Sequence, residues 1–301
     1  MSLDRPPETV RAYLADLRRA LKGAPAGLIS DALADAEDHL NNEIANNPEI
    51  PESQILATVI DTYGTPQEIA EEYRDMEATI GGPFPKSDAA PERRFGFFNV
   101  VSDPRTYGAL LYMLLSLVTG IFYFTWTVVG LSLTVGFAIL IIGVPFALLF
   151  VGSVRVLSHV EGRIVEGLLG VRMPRRLPPT APTDERLWAR IKDALADSRT
   201  WSSMFYMLLM LPLGIAYFTI AVTGLSVALG ITAGSIWSLI TNDASHIQID
   251  DVPWLQHLLH TAPGLILFAF VGVLLFFFML HVARGIGWLH GRIAELLLVR
   301  L

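Results

Sequence analysis

Residues 112–132 read YMLLSLVTGIFYFTWTVVGLS, and residues 206–226 read YMLLMLPLGIAYFTIAVTGLS. These stretches belong to two longer segments, 103–136 and 197–230, which are identical at 18 of 34 positions after a shift of 94 residues. Each copy continues through a second apolar stretch to a matching exit, Gly162-Arg163-Ile164 in the first and Gly291-Arg292-Ile293 in the second. A duplication of this kind predicts two equivalent halves within one membrane domain.

The composition supports a membrane protein. Hydrophobic residues make up 52% of the chain, charged residues only 17%, and the mean hydropathy is +0.47. Residues 107–154 carry no charge, and these 48 positions accommodate two spans at roughly 20 residues per crossing. Residues 201–241 and 262–282 supply two more. We therefore predict an all-α polytopic protein with four transmembrane helices, arranged as two parallel two-helix repeats, and an N-terminal soluble helical bundle.

The distribution of charge predicts the topology. Residues 1–80 hold 16 acidic and 6 basic side chains, net −10, whereas residues 81–301 hold 13 acidic and 16 basic ones, net +3. The basic residues of the membrane part flank one side of the spans, and the other side carries Asp243, Asp250 and Asp251 without any Lys or Arg. By the positive-inside rule, we expect a multi-pass protein of the bacterial cytoplasmic membrane with both termini cytoplasmic.

Two further features limit the class of protein. The polar, helix-like N-terminus does not have the basic and then apolar character of a cleavable leader, so we expect no signal peptide. The chain contains no cysteine, which excludes disulfides, thiolate nucleophiles and cysteine-based zinc or iron–sulfur sites.

Shifts in composition predict the domain boundaries. The predicted order is an acidic cytoplasmic helical domain (1–80), a linker (81–92), the first membrane repeat (93–172), a linker (173–184) and the second membrane repeat (185–301), with an outer insertion at about 237–262. The insertion arises because the matching arginines Arg199 and Arg292 are 93 residues apart, whereas Arg105 and Arg163 are 58 apart. One outer-side feature therefore breaks the symmetry of the repeat.

Helix signals divide the N-terminal domain into four helices. We predict helices at 8–22, at about 28–46, at 51–63 and from Thr65-Pro66 to about residue 79, the last opening with a capping box between Thr65 and Glu68. Gly64 is predicted to take the left-handed conformation that ends the third helix. Ten apolar positions recur at helical spacing and can share one core: Leu14, Leu17, Leu21, Leu33, Leu40, Ile44, Ile55, Val59, Ile69 and Tyr73.

Two family resemblances cover nearly the whole chain. Residues 8–75 resemble the small HAAS-type helical signalling domain through a long acidic second helix and the closing sequence Gly64-Thr65-Pro66-Gln67-Glu68-Ile69-Ala70-Glu71-Glu72-Tyr73. Residues 97–300 resemble a four-span sensor domain of bacterial membrane proteins, through Tyr112, Gly120, Tyr123, Gly130-Leu131-Ser132, 162–172 and their counterparts in the second copy. The resemblance implies signalling across a membrane and a cytoplasmic protein partner, for example a PadR-like regulator. Neither family supplies a catalytic residue, so we do not expect an enzyme.

Candidate ligand-binding residues fall at two places. Tyr123, Thr125, Tyr217 and Thr219 occupy equivalent depths in the two first spans, where their hydroxyls could line a central pocket for a lipid-like head group. The alternative is ordinary helix packing, in which Gly120, Gly130, Gly214 and Gly224 allow close approach. Trp237, Trp254 and His257 are the candidates in the outer insertion, where we also predict a short interfacial helix around Trp254, Leu255, Leu258 and Leu259.

The remaining polar groups have alternative interpretations. His246, His257 and His260 with the nearby aspartates could bind a divalent ion or make the outer loop responsive to pH, but the spacing is irregular and a polar loop is the simpler interpretation. His159, His281 and His290 are expected to be interfacial. The two pairs Arg163/Glu166 and Arg292/Glu295 could be local or could cross between repeats.

The sequence thus favours a membrane sensor or regulatory protein that detects a lipophilic or extracytoplasmic signal and passes it to a cytoplasmic partner. A lipid or hydrophobic-compound transport component is the alternative. We expect contacts with membrane lipids, no cofactor, no bound metal and no direct contact with nucleic acid. A homodimer is a further hypothesis, because symmetric bundles with exposed glycine faces often self-associate.

Overall fold

The structure is a computed structural model that describes residues 7–80, 97–137, 143–175, 197–242 and 253–299. Within these ranges, every regular element is a helix. The linker 81–92, residues 185–196, and His246 with Asp243, Asp250 and Asp251 lie outside the described residues.

The N-terminal part forms four helices around one core. Their bounds are α1 Val10–Ala20, α2 Ala26–Asn46, α3 Glu52–Tyr63 and α4 Pro66–Ile80. The core contains six of the ten predicted apolar positions, together with Tyr13, Ala32, Ala36, Leu56 and Ala70, and the other four, Leu14, Leu33, Ile44 and Tyr73, are partly buried against it. The helical periodicity of the sequence therefore placed the core of this domain correctly.

Local sequence explains where these helices begin and end. The Thr9 hydroxyl accepts from the Ala12 backbone N–H and caps α1. Gly64 ends α3 at φ 113°, a region that glycine enters without strain, and its carbonyl accepts from the Tyr13 hydroxyl. The predicted capping box is present, since the Thr65 N–H donates to Glu68 and the Glu68 N–H donates to the Thr65 hydroxyl.

The capping box predicts an acid-sensitive helix start. The backbone N–H and the hydroxyl of Thr65 hold the pKa of Glu68 below its ordinary value. A lowered folded-state pKa stabilises the fold above the unfolded pKa, and this contribution is lost as the pH falls through the folded value. We expect hydrogen exchange at the first turn of α4 to speed up in acid in the parent protein. In Glu68→Gln the same turn should exchange faster at neutral pH and show less acid dependence; an unchanged acid dependence would contradict this assignment.

Three of the described helices are long and apolar enough to cross a membrane: α5 Pro104–Phe137, α7 Ser198–Thr241 and α9 Ala262–Leu298. A short 3₁₀ helix, Phe97–Ser102, precedes α5. Helix α6, Gly143–Leu169, corresponds to the remaining predicted span, but it is not among these three. From its middle onward α6 carries four charged residues, Arg155, Glu161, Arg163 and Glu166. The predicted short helix in the outer insertion is present as α8, Pro253–Leu259.

The chain divides into two compact units. The first contains residues 1–88, 129–206 and 292–301, and so joins the N-terminal helices to α6 and to the adjoining ends of α5, α7 and α9. The second contains residues 89–128 and 207–291, which hold most of α5, α7 and α9.

Glycines bring α5 and α7 into direct backbone contact in the second unit. A Cβ atom added to Gly120 would lie 2.5 Å from the Met210 carbonyl oxygen, and one added to Gly214 would lie 2.3 Å from the Ser116 carbonyl oxygen. Under the 94-residue shift Gly120 corresponds to Gly214 and Ser116 to Met210, so the two contacts are reciprocal. This is the close approach through small residues that packs helices in membranes.

Candidate coupling site

The segment that follows α6 is held against the N-terminal helices within the first unit. Gly170 ends α6 with φ 71°, and its N–H donates to the Glu166 carbonyl. Residues 171–175 then run along the first turns of α2, where Met173 is buried. We call residues 171–175 the docking segment. Its last three residues, 173–175, belong to the predicted linker 173–184, and they lie against the first turns of α2.

One arginine of the docking segment joins three helices. Arg172 Nη2 donates to Asp31 on α2 at 2.9 Å, and Nε donates to Glu77 on α4 at 3.2 Å. Its Nη1 lies 3.7 Å from Glu166 on α6. The side chains of Arg172, Asp31, Glu77 and Glu166 are 10%, 9%, 14% and 5% exposed, so this network is largely shielded from water. A cation shared among three carboxylates in such a site is costly to remove, because each of the three carboxylates would lose a cationic contact.

Backbone contacts strengthen the same junction. The Arg175 N–H donates to both Asp31 carboxylate oxygens, at 2.8 and 3.1 Å, and its guanidinium donates to Glu166 at 3.2 Å. A Cβ atom added to Gly27, in the first turn of α2, would lie 2.7 Å from the Met173 carbonyl carbon. The absence of a side chain at Gly27 therefore permits the docking segment to lie directly on α2. We call these contacts, with the Arg172 network, the latch.

A second set of polar contacts recurs at equivalent positions of the two repeats. When the exits are aligned by a shift of 129 residues, Arg155 corresponds to Arg284 and Glu161 to His290. In the first unit Arg155 binds Asp197 at 3.1 Å; in the second unit Arg284 binds Asp103 at 3.3 Å. Asp103 and Asp197 are themselves equivalent, and each accepts a bond from the backbone N–H two residues later. Each pair joins the start of one repeat to the second helix of the other.

Two buried tyrosines at equivalent positions also make contacts between the two repeats. The Tyr206 hydroxyl donates to Glu161 at 3.1 Å in the first unit, and the equivalent Tyr112 hydroxyl bonds His290 Nε2 in the second. The Tyr217 hydroxyl lies 3.4 Å from the other ring nitrogen of His290. Glu161 and His290 are both fully buried. The repeat thus preserves the geometry of the tyrosine contact but changes the chemistry of the partner from a carboxylate to an imidazole.

The prediction that His290 is interfacial is wrong. Helix α9 continues far beyond the apolar stretch 262–282, and the packing of its last turns buries this side chain. Sequence periodicity alone gave no sign of this. The alignment of the two exits did contain a signal, since it places a polar titratable residue, Glu161 or His290, at the same position immediately before the shared Gly-Arg-Ile.

The structure separates the predicted ligand-binding residues. Tyr123 and Tyr217 are buried, and Tyr217 joins the His290 cluster described above. Thr125 and Thr219 are exposed on the outside of their helices, because residues two apart in a helix point in nearly opposite directions. The threonines therefore do not lie beside the tyrosines.

The candidate ligand-binding residues of the outer insertion lie on two helices, α7 and α8. Trp237 is exposed and lies within α7, which continues to Thr241, so the helix extends into the predicted insertion. His257 is exposed on α8. Trp254 belongs to the same short helix, but its side chain is outside what the structure describes.

The two arginine–glutamate pairs are local within their helices. Arg163 binds Glu166 at 2.7 Å, and Arg292 lies 3.8 Å from Glu295. Their surroundings differ, because Glu166 also belongs to the latch through Arg172 and Arg175. In the described ranges, no group of three or more His, Cys, Asp or Glu side chains is arranged to hold a metal ion.

The fold and the latch define a helical membrane protein whose N-terminal helices pack on α6 and on the segment that follows it. Comparison with known families agrees with this class. Residues 112–298 match the family described as "Putative sensor", and residues 12–72 match the HAAS family. The chain belongs to this sensor family and carries a HAAS domain at its N-terminal end, as the sequence motifs predicted. No curated protein and no solved structure matches the chain.

Proposed function

We propose that this protein is a membrane-embedded regulatory sensor, in which the state of the membrane helices sets the position of the HAAS domain for a cytoplasmic partner. The latch is the observation that carries the proposal. A signal that moves the end of α6 must either move α2 and α4 with it or break a shielded ionic network. A soluble domain joined only by a mobile linker would not respond in this way.

The proposed membrane part has four spans in two equivalent halves, with both termini cytoplasmic. Three sets of contacts between the repeats support the arrangement in equivalent halves: the reciprocal glycine contacts, the two Asp–Arg pairs and the two tyrosine contacts. Each of them joins an element of one repeat to an element of the other, and each occurs twice at equivalent positions. Such an arrangement can shift as a unit, because packed interfaces tend to have discrete alternative states. The partner would be a protein, such as a regulator of the PadR type, and the function regulatory, not catalytic.

A labelling experiment tests the coupling directly. Because the chain has no cysteine, Glu37→Cys on the exposed face of α2 provides a single site for an environment-sensitive dye. The labelled protein is placed in nanodiscs of short-chain or long-chain phosphatidylcholine, so that only the membrane thickness changes. We expect the dye spectrum to differ between the two membranes, and the difference to disappear in Arg172→Gln.

The matched control is Arg163→Gln, which removes a half-exposed arginine that pairs with the same Glu166. Its spectrum should still respond to membrane thickness. A spectrum that does not respond in the parent protein, or that responds equally in the Arg172 variant, would reject the proposed coupling.

A further inference from the structure

A cleft of about 1760 Å³ in the first unit is lined by α1, α2, α6, the start of α7 and residues 298–299. One wall is a single face of α1, and it includes Arg11, Ala15, Arg18 and Lys22. These positions are 4, 3 and 4 residues apart, the spacing that aligns side chains along a helix. Arg155, His159 and Arg199 lie on the opposite wall.

The basic character of this cleft is unusual for the domain that forms it. Residues 1–80 have a net charge of −10, yet five of their six basic residues fall within residues 5–22. The three exposed cations of the α1 face, Arg11, Arg18 and Lys22, form no ion pair with any carboxylate in the described ranges. Positive charge is thus concentrated on α1, one of the helices that line the cleft.

The carboxylates that line the cleft are mostly engaged elsewhere. Asp31 is bound by Arg172 and by the Arg175 N–H, and Asp197 is bound by Arg155. Glu52 accepts from the Val10 N–H. Glu37 is the remaining acidic group among the described lining residues, and it is exposed. The field inside the cleft is therefore set mainly by the cations of α1 and favours an anion.

We propose that this cleft binds the phosphate group of an anionic lipid head group and so seats α1 at the cytoplasmic surface of the membrane. Across the cleft, Arg155 lies on α6 and Arg199 lies in the first turn of α7, at the start of an apolar helix long enough to cross a membrane, where a phospholipid head group would meet it. Arginine and lysine are the side chains that bind phosphate oxygens most readily. The proposal rests on the proposed function only for the cytoplasmic placement of the HAAS domain, and it is tested without any signalling readout.

Accessibility of a cysteine in the cleft tests the proposal. Ala15→Cys is placed on the basic face of α1, and its rate of reaction with a bulky maleimide is measured in nanodiscs of pure phosphatidylcholine or with added phosphatidylglycerol. We expect phosphatidylglycerol to slow labelling about tenfold, which corresponds to about 1.4 kcal/mol of head-group binding. The protection should disappear in Arg11→Gln/Arg18→Gln/Lys22→Gln and persist in the control Arg163→Gln/Arg292→Gln.

A second arm identifies the source of the phosphate. Inorganic phosphate is added to the phosphatidylcholine nanodiscs at millimolar concentration. Protection by phosphatidylglycerol alone supports the lipid head group; equal protection by inorganic phosphate supports the anion site but overturns the lipid assignment. Absence of protection in both arms, or protection that survives in the triple variant, would overturn the proposal and leave the latch and the proposed function untouched.

Discussion

Valine in place of Gly120 or Gly214 is expected to destabilise the membrane domain by about 3 kcal/mol, the upper end of the usual cost of overpacking. At both positions the first added carbon would lie within 2.5 Å of a backbone carbonyl oxygen of the facing helix. A backbone group cannot rotate away as a flexible side chain can, so α5 and α7 would have to separate. The measurement is thermal unfolding of the full chain in detergent, with each variant compared with the parent protein.

The repeat itself provides the control for this prediction. Gly136 and Gly230 are equivalent positions on the same two helices, and a Cβ atom at either would meet nothing within 4 Å. Valine at these positions should leave the unfolding temperature nearly unchanged. Equal losses at all four glycines would show that helix propensity and not close packing is responsible, and no loss at Gly120 and Gly214 would contradict the α5–α7 contact.

Arg172→Gln is expected to have the second large effect, a loss of about 3 kcal/mol in the free energy that holds α2 against the docking segment, as is typical when one partner of a buried ionic network is removed. The measurement is hydrogen exchange of the full chain in nanodiscs, read at the first turns of α2 and at residues 171–175. The contrast is Arg163→Gln, whose 50% exposed side chain should contribute at most about 1 kcal/mol.

A steric variant tests the same junction without changing any charge. Gly27→Val would place side-chain atoms against the Met173 backbone and should open the junction as Arg172→Gln does. Gly167→Val, on α6 with nothing within 4 Å, should not. If Gly27→Val leaves exchange at α2 unchanged, the docking of residues 171–175 on α2 is contradicted.

The sequence predicted most of the N-terminal domain because its information is local. The helix periodicity, the left-handed Gly64 and the Thr65–Glu68 capping box each depend on residues within a few turns of one another. The duplication also indicated that recurring glycines could allow close approach, as Gly120 and Gly214 do, but it did not separate them from Gly136 and Gly230, which recur and meet nothing within 4 Å. The helices of the membrane part were harder to delimit, because α9 continues past the apolar stretch and buries His290.

The latch could not be predicted from one sequence. Asp31 and Arg172 are 141 residues apart, and each has an ordinary local interpretation, a polar residue on an acidic helix and a basic residue near a membrane. Only the fold brings them within 2.9 Å. The Tyr112–His290 and Tyr206–Glu161 contacts could be predicted in part, because the two exits align. That each tyrosine contacts the second helix of the other repeat depends on tertiary packing.

The central claim is that the latch couples the HAAS domain to the first membrane repeat, and a double-mutant cycle between Asp31→Asn and Arg172→Gln tests it most directly. The quantity measured is the opening free energy at the start of α2, obtained from hydrogen exchange of the four proteins in nanodiscs. We predict a coupling energy of about 1–3 kcal/mol, the range found for residues that share one ionic network. Effects that add to within about 0.5 kcal/mol, as for independent sites, would contradict the account.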